Sequence, residues 1–325
     1  MRKALNKVSL QGRVYDHNLQ LKTVSDQSKA SFGTEFINGT LDIATDDADL
    51  NIVQVHFTYV TAVNKKGGKN STFTVLKNII DNPKTIIANG KDEALCVKVD
   101  TAVGLNDFYS NRTGEDTLVS AKRCEGGFVS VVKALPEEKD RNRFECDMLI
   151  NGTRIVEANE EKNIPEDYLI VKGAVFDFKN SLLPVEFAVK SKGGINYFES
   201  LDASPKKMTF TKVWGTINCT TVVTKKEEES AFGEPVVKEY TNTRREWIVT
   251  GTSKPDAVYE IGDEKNGITD EEIKKAVADR EIYLADVKKR QDEYQASKNS
   301  SVASEVPFGT GTARPSTTIG SCRIL

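Results

Sequence analysis

The sequence lacks the residues and motifs on which most classes of enzyme depend. Only two histidines occur in 325 residues, His17 and His56, which excludes a catalytic or metal site built from several histidines. No GxxxxGK[ST] motif occurs, which excludes a P-loop nucleotide hydrolase. The acidic turn at 46–49 lacks the ordered ligand spacing of a calcium loop. We therefore expect no catalytic residue, no metal and no cofactor.

Cysteines and long apolar runs are also scarce. The five cysteines are odd in number and form no CxxC pair, so neither a disulfide framework nor a zinc site is indicated. No apolar run is long enough to span a bilayer, and no apolar core follows the basic N-terminus as it would in a signal peptide. These absences predict a cytoplasmic protein without a membrane partner.

Positive charge is not in excess either. The chain has 45 Lys and Arg against 48 Asp and Glu, which gives a formal net charge of −3. A uniformly basic nucleic-acid binder is therefore excluded, whereas a local basic groove is still allowed. The length favours two domains, each large enough to bury a core.

What the sequence does contain is one supersecondary pattern that occurs twice. Residues 36–81 read as a strand, an acidic turn, a long strand, a Lys-Gly-Gly loop and a short amphipathic helix. Residues 168–204 repeat that order. Two copies of one pattern predict two related small β domains in tandem.

Each copy is completed by further strands. In the strand predicted at 7–15, apolar and polar residues alternate, and Gly12 indicates a bulge or a sharp bend. Residues 16–33 have no periodicity and predict a loop. In both copies three strands, a helix and two more strands follow one another, which is the element order of the OB-fold, a small five-stranded barrel.

The sequence thus predicts a mainly β chain of two tandem OB-like five-stranded barrels, each with one helix between its strands 3 and 4. The first OB-like domain is predicted at 1–136 and the second at 143–257, with a charged linker between them. A C-terminal amphipathic helix is predicted at 268–298 and a disordered tail at 299–325.

The C-terminal helix has two interpretations. Thr269 and Glu272 are placed to form a capping box at its start, and an apolar stripe follows. The stripe either packs on a barrel or pairs with another copy of the chain, so the helix is a candidate contact for a homo-oligomer.

Basic loops interleaved with aromatic residues fit single-stranded DNA best, because phosphates need cations and bases need exposed rings for stacking. The candidate DNA-binding residues are Arg13, Tyr15, His56, Tyr59, Lys65, Lys66, Lys69, Arg112, Lys122, Arg123, Lys192, Trp214, Arg244, Arg245 and Trp247, with Lys190 as a further candidate. The lysines at 65–69 are favoured because the glycines between them allow a ligand to approach the backbone. The two tryptophans fit a core position as well as a stacking position.

Two segments resemble a known family. Residues 6–14 (NKVSLQGRV) resemble the first strand of bacterial and phage single-stranded DNA-binding proteins, and residues 304–308 (SEVPF) resemble the acidic tip with which that family recruits partners. The resemblance covers about 1–135 and the tail segment, and the layout looks more like a phage-encoded protein. It implies an OB-fold, single-stranded DNA and replication or recombination proteins as partners, and the host cytoplasm as location.

The leading hypothesis is therefore non-enzymatic, non-sequence-specific single-stranded DNA binding in replication or recombination, by phosphate ion pairing and base stacking. The alternative is a protein-interaction or virion-assembly module built on OB-like barrels, which the slight negative charge and the charged helix favour. A basic groove running across both barrels would count against the alternative.

The loop lysines provide a first test. Replacing Lys65, Lys66 and Lys69 together with Ala should weaken single-strand binding and lower its salt dependence, because phosphate contacts release counterions. The measurement is fluorescence titration with oligo-dT at two salt concentrations, with circular dichroism to check that the fold is intact. Unchanged binding would move the site to the second unit or remove it.

Overall fold

The computed structural model describes residues 4–64, 66–111, 116–159, 164–228, 232, 236–253 and 267–302. Lys65 and Arg112, two of the predicted DNA contacts, lie outside these residues. Residues 303–325 also lie outside them, and they include the SEVPF segment and most of the tail that the sequence predicts to be disordered. Strands make up most of the regular structure and a long helix ends it, so the prediction of a mainly β chain with a C-terminal helix is confirmed.

The described residues form eleven strands and four α-helices. The strands are β1 (Asn6–His17), β2 (Gln20–Thr23), β3 (Glu35–Ala44), β4 (Ile52–Thr61), β5 (Cys96–Ser110), β6 (Thr117–Val131), β7 (Asn142–Val156), β8 (Tyr168–Phe176), β9 (Leu182–Val189), β10 (Thr209–Glu228) and β11 (Val236–Thr252). The helices are α1 (Ser71–Asp81), α2 (Ile86–Asn89), α3 (Lys192–Ser200) and α4 (Asp270–Val302), and a 3-10 helix covers Glu138–Asp140.

Strand β1 pairs with three other strands. It is antiparallel to β5 and β7 over its first part and to β3 over its second part, with a register shift between Val14 and Asp16. Gly12 lies where the partners change, and a Cβ atom there would be 2.1 Å from the carbonyl oxygen of Ala44 in β3. Only glycine allows that approach, which agrees with the bend predicted at this position.

The strands of the first unit pair in a ring. β1 pairs with β3, β3 with β4, β4 with β6, β6 with β5, and β5 again with β1. The β4–β6 pairing is parallel and the others are antiparallel. Helix α1 lies between β4 and β5 in the chain, and Phe73, Leu76 and Ile79 bury its apolar face.

The second unit repeats this ring. β7 pairs with β8, β8 with β9, β9 with β11, β11 with β10, and β10 with β7. The β9–β11 pairing is again the parallel one. Helix α3 takes the place of α1, between β9 and β10, and Ser191 caps its start by accepting from Gly194 N.

One strand was not predicted from the sequence. Residues 20–23 fall in the segment predicted as a loop, but β2 pairs with β3 as an extra edge strand. All four residues of β2 are exposed, so burial imposes no alternation of apolar and polar residues on this strand.

The core is continuous across the two units. One cluster of buried side chains takes residues from both rings, and its aromatic centre is Phe144, Phe187 and Trp247. A second cluster packs the start of α4, with Ile268 and Ile273, against the second unit. Burying each large apolar side chain contributes about 1.5–3 kcal/mol.

The two units are joined by direct pairing of β1 with β7 over five residue pairs. Asn6 strengthens this junction, because its amide donates to the carbonyl oxygens of Val103 at 3.0 Å and Phe176 at 3.1 Å. Its Oδ1 accepts a hydrogen bond from Val103 N at 2.8 Å. One side chain therefore contacts β5 of the first unit and β8 of the second. The predicted division into domains stays a prediction, since strands pair across it.

The predicted linker is attached to the first unit. Arg141 is 7% exposed, and its guanidinium donates to Asp47 Oδ1 at 2.7 Å and to the carbonyl oxygen of Pro136 at 2.8 Å. The hydrogen bond from Arg141 lowers the pKa of the Asp47 carboxyl. Gln11 N donates to the carbonyl oxygen of Arg141 at 2.6 Å. The acidic turn at 46–49 thus anchors the linker.

Helix α4 lies along both units. The predicted capping box forms, with Glu272 N donating to Thr269 Oγ1 at 3.3 Å and Thr269 N donating to Glu272 Oε2 at 3.0 Å. Further along, Arg280 makes a bidentate contact with Asp107 of β5 at 2.8 and 2.6 Å. The start of α4 therefore packs on its own chain, as one of its two interpretations predicts. Among the described helices none is long and apolar enough to cross a membrane.

Removing the Asn6 side chain tests the junction. Asn6→Ala should lower the free energy of unfolding by about 1–3 kcal/mol, because it leaves backbone groups of β5 and β8 without partners. Urea unfolding of Asn196→Ala, which changes an exposed residue of α3, is the matched control. Equal unfolding free energies for the two variants would contradict this role of Asn6.

Candidate nucleic-acid interface

The predicted contacts of the first unit lie at separate places. Arg13 and Tyr15 are half-buried on β1, and Arg13 NH1 lies 4.0 Å from Asp47 Oδ1. Lys66 and Lys69 are exposed in the loop between β4 and α1. Arg13 thus lies close to a carboxylate on the sheet, whereas the two lysines extend from a loop.

An accessible aromatic ring lies at the end of β4. Tyr59 is 49% exposed, and its ring centroid is 4.7 Å from that of Phe36 on β3. The two rings are inclined by 37°, so Phe36 covers Tyr59 only in part. Tyr59 thus has the exposure that base stacking requires.

The outer face of β3, β4 and β6 carries charges of both signs. Gln54 Nε2 donates to Asp42 Oδ1 at 2.8 Å, and Arg123 NH2 lies 2.9 Å from Glu125 Oε1. Burial raises the pKa of Asp42, whereas burial and the charge of Arg123 lower the pKa of His56. His56 is therefore neutral at pH 7, and Arg123 already has a carboxylate partner.

Arg245 extends toward this face from the second unit. It is exposed on β11, opposite Cys219 of β10. Burial raises the pKa of Asp42 and lowers that of His56, and the charge of Arg245 opposes the first shift and adds to the second.

Lys122 points into the junction between the units. Its ammonium donates to the carbonyl oxygen of Glu186 in β9 and lies 5.4 Å from the ring centroid of Phe187. Burial lowers the pKa of Lys122 to about 8, against the raising effect of Glu186. The structure thus places Lys122 in contact with β9, and its contact with a phosphate stays a prediction.

The two tryptophans lie in different environments. Trp247 is 4% exposed, and its ring centroid lies 5.4 Å from Phe144 and 6.1 Å from Phe187. Its prediction as a stacking platform is corrected, because the core leaves the ring no accessible face. Trp214 is half-buried on β10 and lies flat on Gly251, where a Cβ would be 2.4 Å from the indole Nε1.

The second unit has a basic surface that spans four strands. Direct register pairs place Arg154, Ile170, Ala188 and Ile248 in one row across β7, β8, β9 and β11. Val171, next to Ile170 in β8, is buried, so the row is on the outer side of the sheet, where Ile170 and Ile248 are partly exposed and the smaller Ala188 is 6% exposed. We call it the β7–β8–β9–β11 face.

Cations surround the apolar part of this face. They are Arg154, Lys172, Lys190 and Arg244, with side chains between 31% and 52% exposed. Arg154 and Lys172 lie 3.9 and 3.5 Å from the carboxylate of Glu186. Lys190 and Arg244 lie 2.8 and 2.7 Å from that of Glu246. Each of these four cations thus lies within 4.0 Å of one of the two carboxylates.

A cleft adjoins one end of the face. It has a volume of about 80 Å³ and is lined by Ile164, Pro165, Glu166, Asp167, Tyr168, Lys190 and Arg244. The ammonium of Lys190 lies 5.9 Å from the ring centroid of Tyr168. Lys192, a predicted contact, is exposed at the nearby start of α3.

Several residues of this face were not predicted from the sequence. Tyr168 and Lys172 share the outer side of β8 with Ile170, and Arg154 joins them only through the register of β7 with β8. The alternation in β8 could have indicated Tyr168 and Lys172. Within the part of the chain that the structure describes, no three His, Cys, Asp or Glu residues group as metal ligands.

The chain matches one family model and is similar to solved structures at low sequence identity. A family model described as YorF matches residues 4–290, which span both units and most of α4. No curated protein matches the chain. A solved deletion mutant of the single-stranded DNA-binding protein from Thermus aquaticus is 11% identical, with a TM-score of 0.44, over 82% of this chain and 100% of that chain. The wild-type protein from Thermus aquaticus is 9% identical, with a TM-score of 0.42, over 78% and 94%.

The different burial of the two tryptophans can be measured directly, because the chain contains only these two. In Trp247→Phe, which keeps Trp214, acrylamide should quench the fluorescence several-fold more efficiently than in Trp214→Phe, which keeps Trp247. Acrylamide collides more often with a partly exposed indole ring than with a buried one. Equal quenching of both variants would contradict the core position of Trp247.

Proposed function

We propose that this chain, which belongs to the YorF family, binds single-stranded DNA through the β7–β8–β9–β11 face and does not read the base sequence. The observation that carries the proposal is the row of apolar residues on β8, β9 and β11, with Arg154, Lys172, Lys190 and Arg244 around it. Single-strand binders need this combination, because cations follow the phosphates while bases stack on apolar and aromatic surfaces.

We interpret each ring of five strands as an OB-type barrel. The pairing order supports this interpretation, as does the helix between the third and fourth strands of each ring. Oligonucleotides bind to OB barrels across strands 2 and 3. In the second ring these strands are β8 and β9, on which the basic face is centred.

We assign the main DNA contacts to the second unit. Both faces carry two carboxylates, Asp42 and Glu125 in the first unit and Glu186 and Glu246 in the second. The second face has four cations close to them and therefore attracts phosphates more strongly. Tyr59, Lys66 and Lys69 are exposed and can add secondary contacts. The strand would then cross the second unit first and reach the first unit at these places.

In this proposal the protein covers single strands during replication or recombination and performs no catalysis. It acts in the cytoplasm, which is the host cytoplasm if the chain is phage-encoded. Replication or recombination proteins are its further partners, and α4 is the candidate contact for a homo-oligomer. No cofactor is required, because ion pairing and stacking need only the side chains of the chain itself.

Removing two cations of the face tests the proposal. Lys172→Ala with Lys190→Ala should weaken oligo-dT binding and reduce the slope of log K against log salt by roughly 1.4, which is about 0.7 for each of the two phosphates that would no longer be neutralised. Fluorescence titration at several salt concentrations measures both quantities.

The matched control removes two ion-paired lysines from the first unit. Lys77 and Lys98 lie 2.8 and 3.4 Å from Asp81 and Asp100, so Lys77→Ala with Lys98→Ala removes the same amount of charge elsewhere. The control should bind like the unchanged protein. If the unchanged protein does not bind oligo-dT, or binds it independently of salt, the proposed function is wrong.

A further inference from the structure

We infer that Glu246 and Glu186 occupy the positions of strand phosphates in the free protein and are displaced from the cations when DNA binds. This inference rests on the proposed function and adds a regulation of the same site. It concerns two carboxylates that lie among the cations of the β7–β8–β9–β11 face.

Glu246 is the stronger of the two substitutes. Its Oε2 accepts a hydrogen bond from Lys190 Nζ at 2.8 Å, and its Oε1 lies 2.7 Å from Arg244 NH2. Each carboxylate oxygen thus meets a different cation, as two oxygens of one phosphate would. The Glu246 side chain is 11% exposed, so water screens these contacts less than at an open surface.

Glu186 makes looser contacts. Its carboxylate lies 3.5 Å from Lys172 Nζ and 3.9 Å from Arg154 NH2, and its side chain is 49% exposed. Exposed ion pairs of this kind are weak because water and salt screen them. A phosphate that binds Lys172 or Arg154 therefore breaks only a weak ion pair.

The exchange keeps the number of ionic contacts nearly constant. Lys190 and Arg244 are held in place by Glu246 before the strand arrives, which lowers the ordering cost of binding. The strand must nevertheless displace a carboxylate. The free energy needed to break that ion pair offsets part of the free energy of counterion release that drives binding. The two glutamates therefore lower the affinity and its salt dependence, which lets the strand dissociate.

Neutral variants test this inference. Glu246→Gln keeps the side-chain shape and removes the competing charge, so it should bind oligo-dT roughly threefold to tenfold tighter, with a steeper slope against log salt. Glu186→Gln should change both quantities in the same direction and by less. Stopped-flow dissociation should be slower for Glu246→Gln.

The control is Glu281→Gln, which removes one charge from an exposed position on α4. If Glu246→Gln and Glu186→Gln bind no tighter than Glu281→Gln while the unchanged protein binds oligo-dT, the inference is wrong and the proposed function stands. If Glu246→Gln does not fold, the more exposed Glu186→Gln decides the question against the same control. If neither the unchanged protein nor any variant binds oligo-dT, the proposed function is wrong and the inference is wrong with it.

Discussion

The pairing of β1 with three other strands is the contact on which the rest of the structure depends. β1 closes the first ring through β3 and β5, and it joins the second ring through β7. This is possible because Gly12 lets the backbone of β3 approach where a Cβ would be 2.1 Å from Ala44 O. A side chain at Gly12 would therefore disturb the first ring and the junction together. Asn6, six residues earlier, adds side-chain hydrogen bonds to both units at the same junction.

The two units have the same strand order but carry different charged side chains on the outer faces of equivalent strands. In the first unit, the outer face of β3 and β4 holds Asp42, Gln54 and a neutral His56. In the second, the equivalent strands β8 and β9 hold Lys172 and lead to Lys190. A duplicated unit can keep its core while its outer side chains change, because alternate residues of a strand face opposite sides. We infer that the first unit serves mainly as a support and the second as the binding unit.

The fold could be predicted from the sequence further than the site could. The alternation in β1 and β4, the capping box of Thr269 and Glu272 and the repeated element order are local signals, and the structure contains the elements they predict. β2 left no signal because it is exposed on both sides. The basic face depends on register between strands far apart in the chain, such as Ile248 opposite Ala188, and no local pattern specifies that pairing. Trp247 and Lys122 show the same limit, since only the three-dimensional packing decides whether a ring lies in the core or an ammonium contacts a neighbouring strand.

The central claim is that a single strand contacts the second unit on the face built from β7, β8, β9 and β11. Photo-crosslinking with an oligonucleotide that carries 5-iodouracil tests it most directly, because this base reacts with aromatic side chains that lie against it. Mass spectrometry of the crosslinked peptides should find Tyr168 at the end of this face as the main site. Crosslinks confined to Tyr15 or Tyr59 of the first unit would contradict the account.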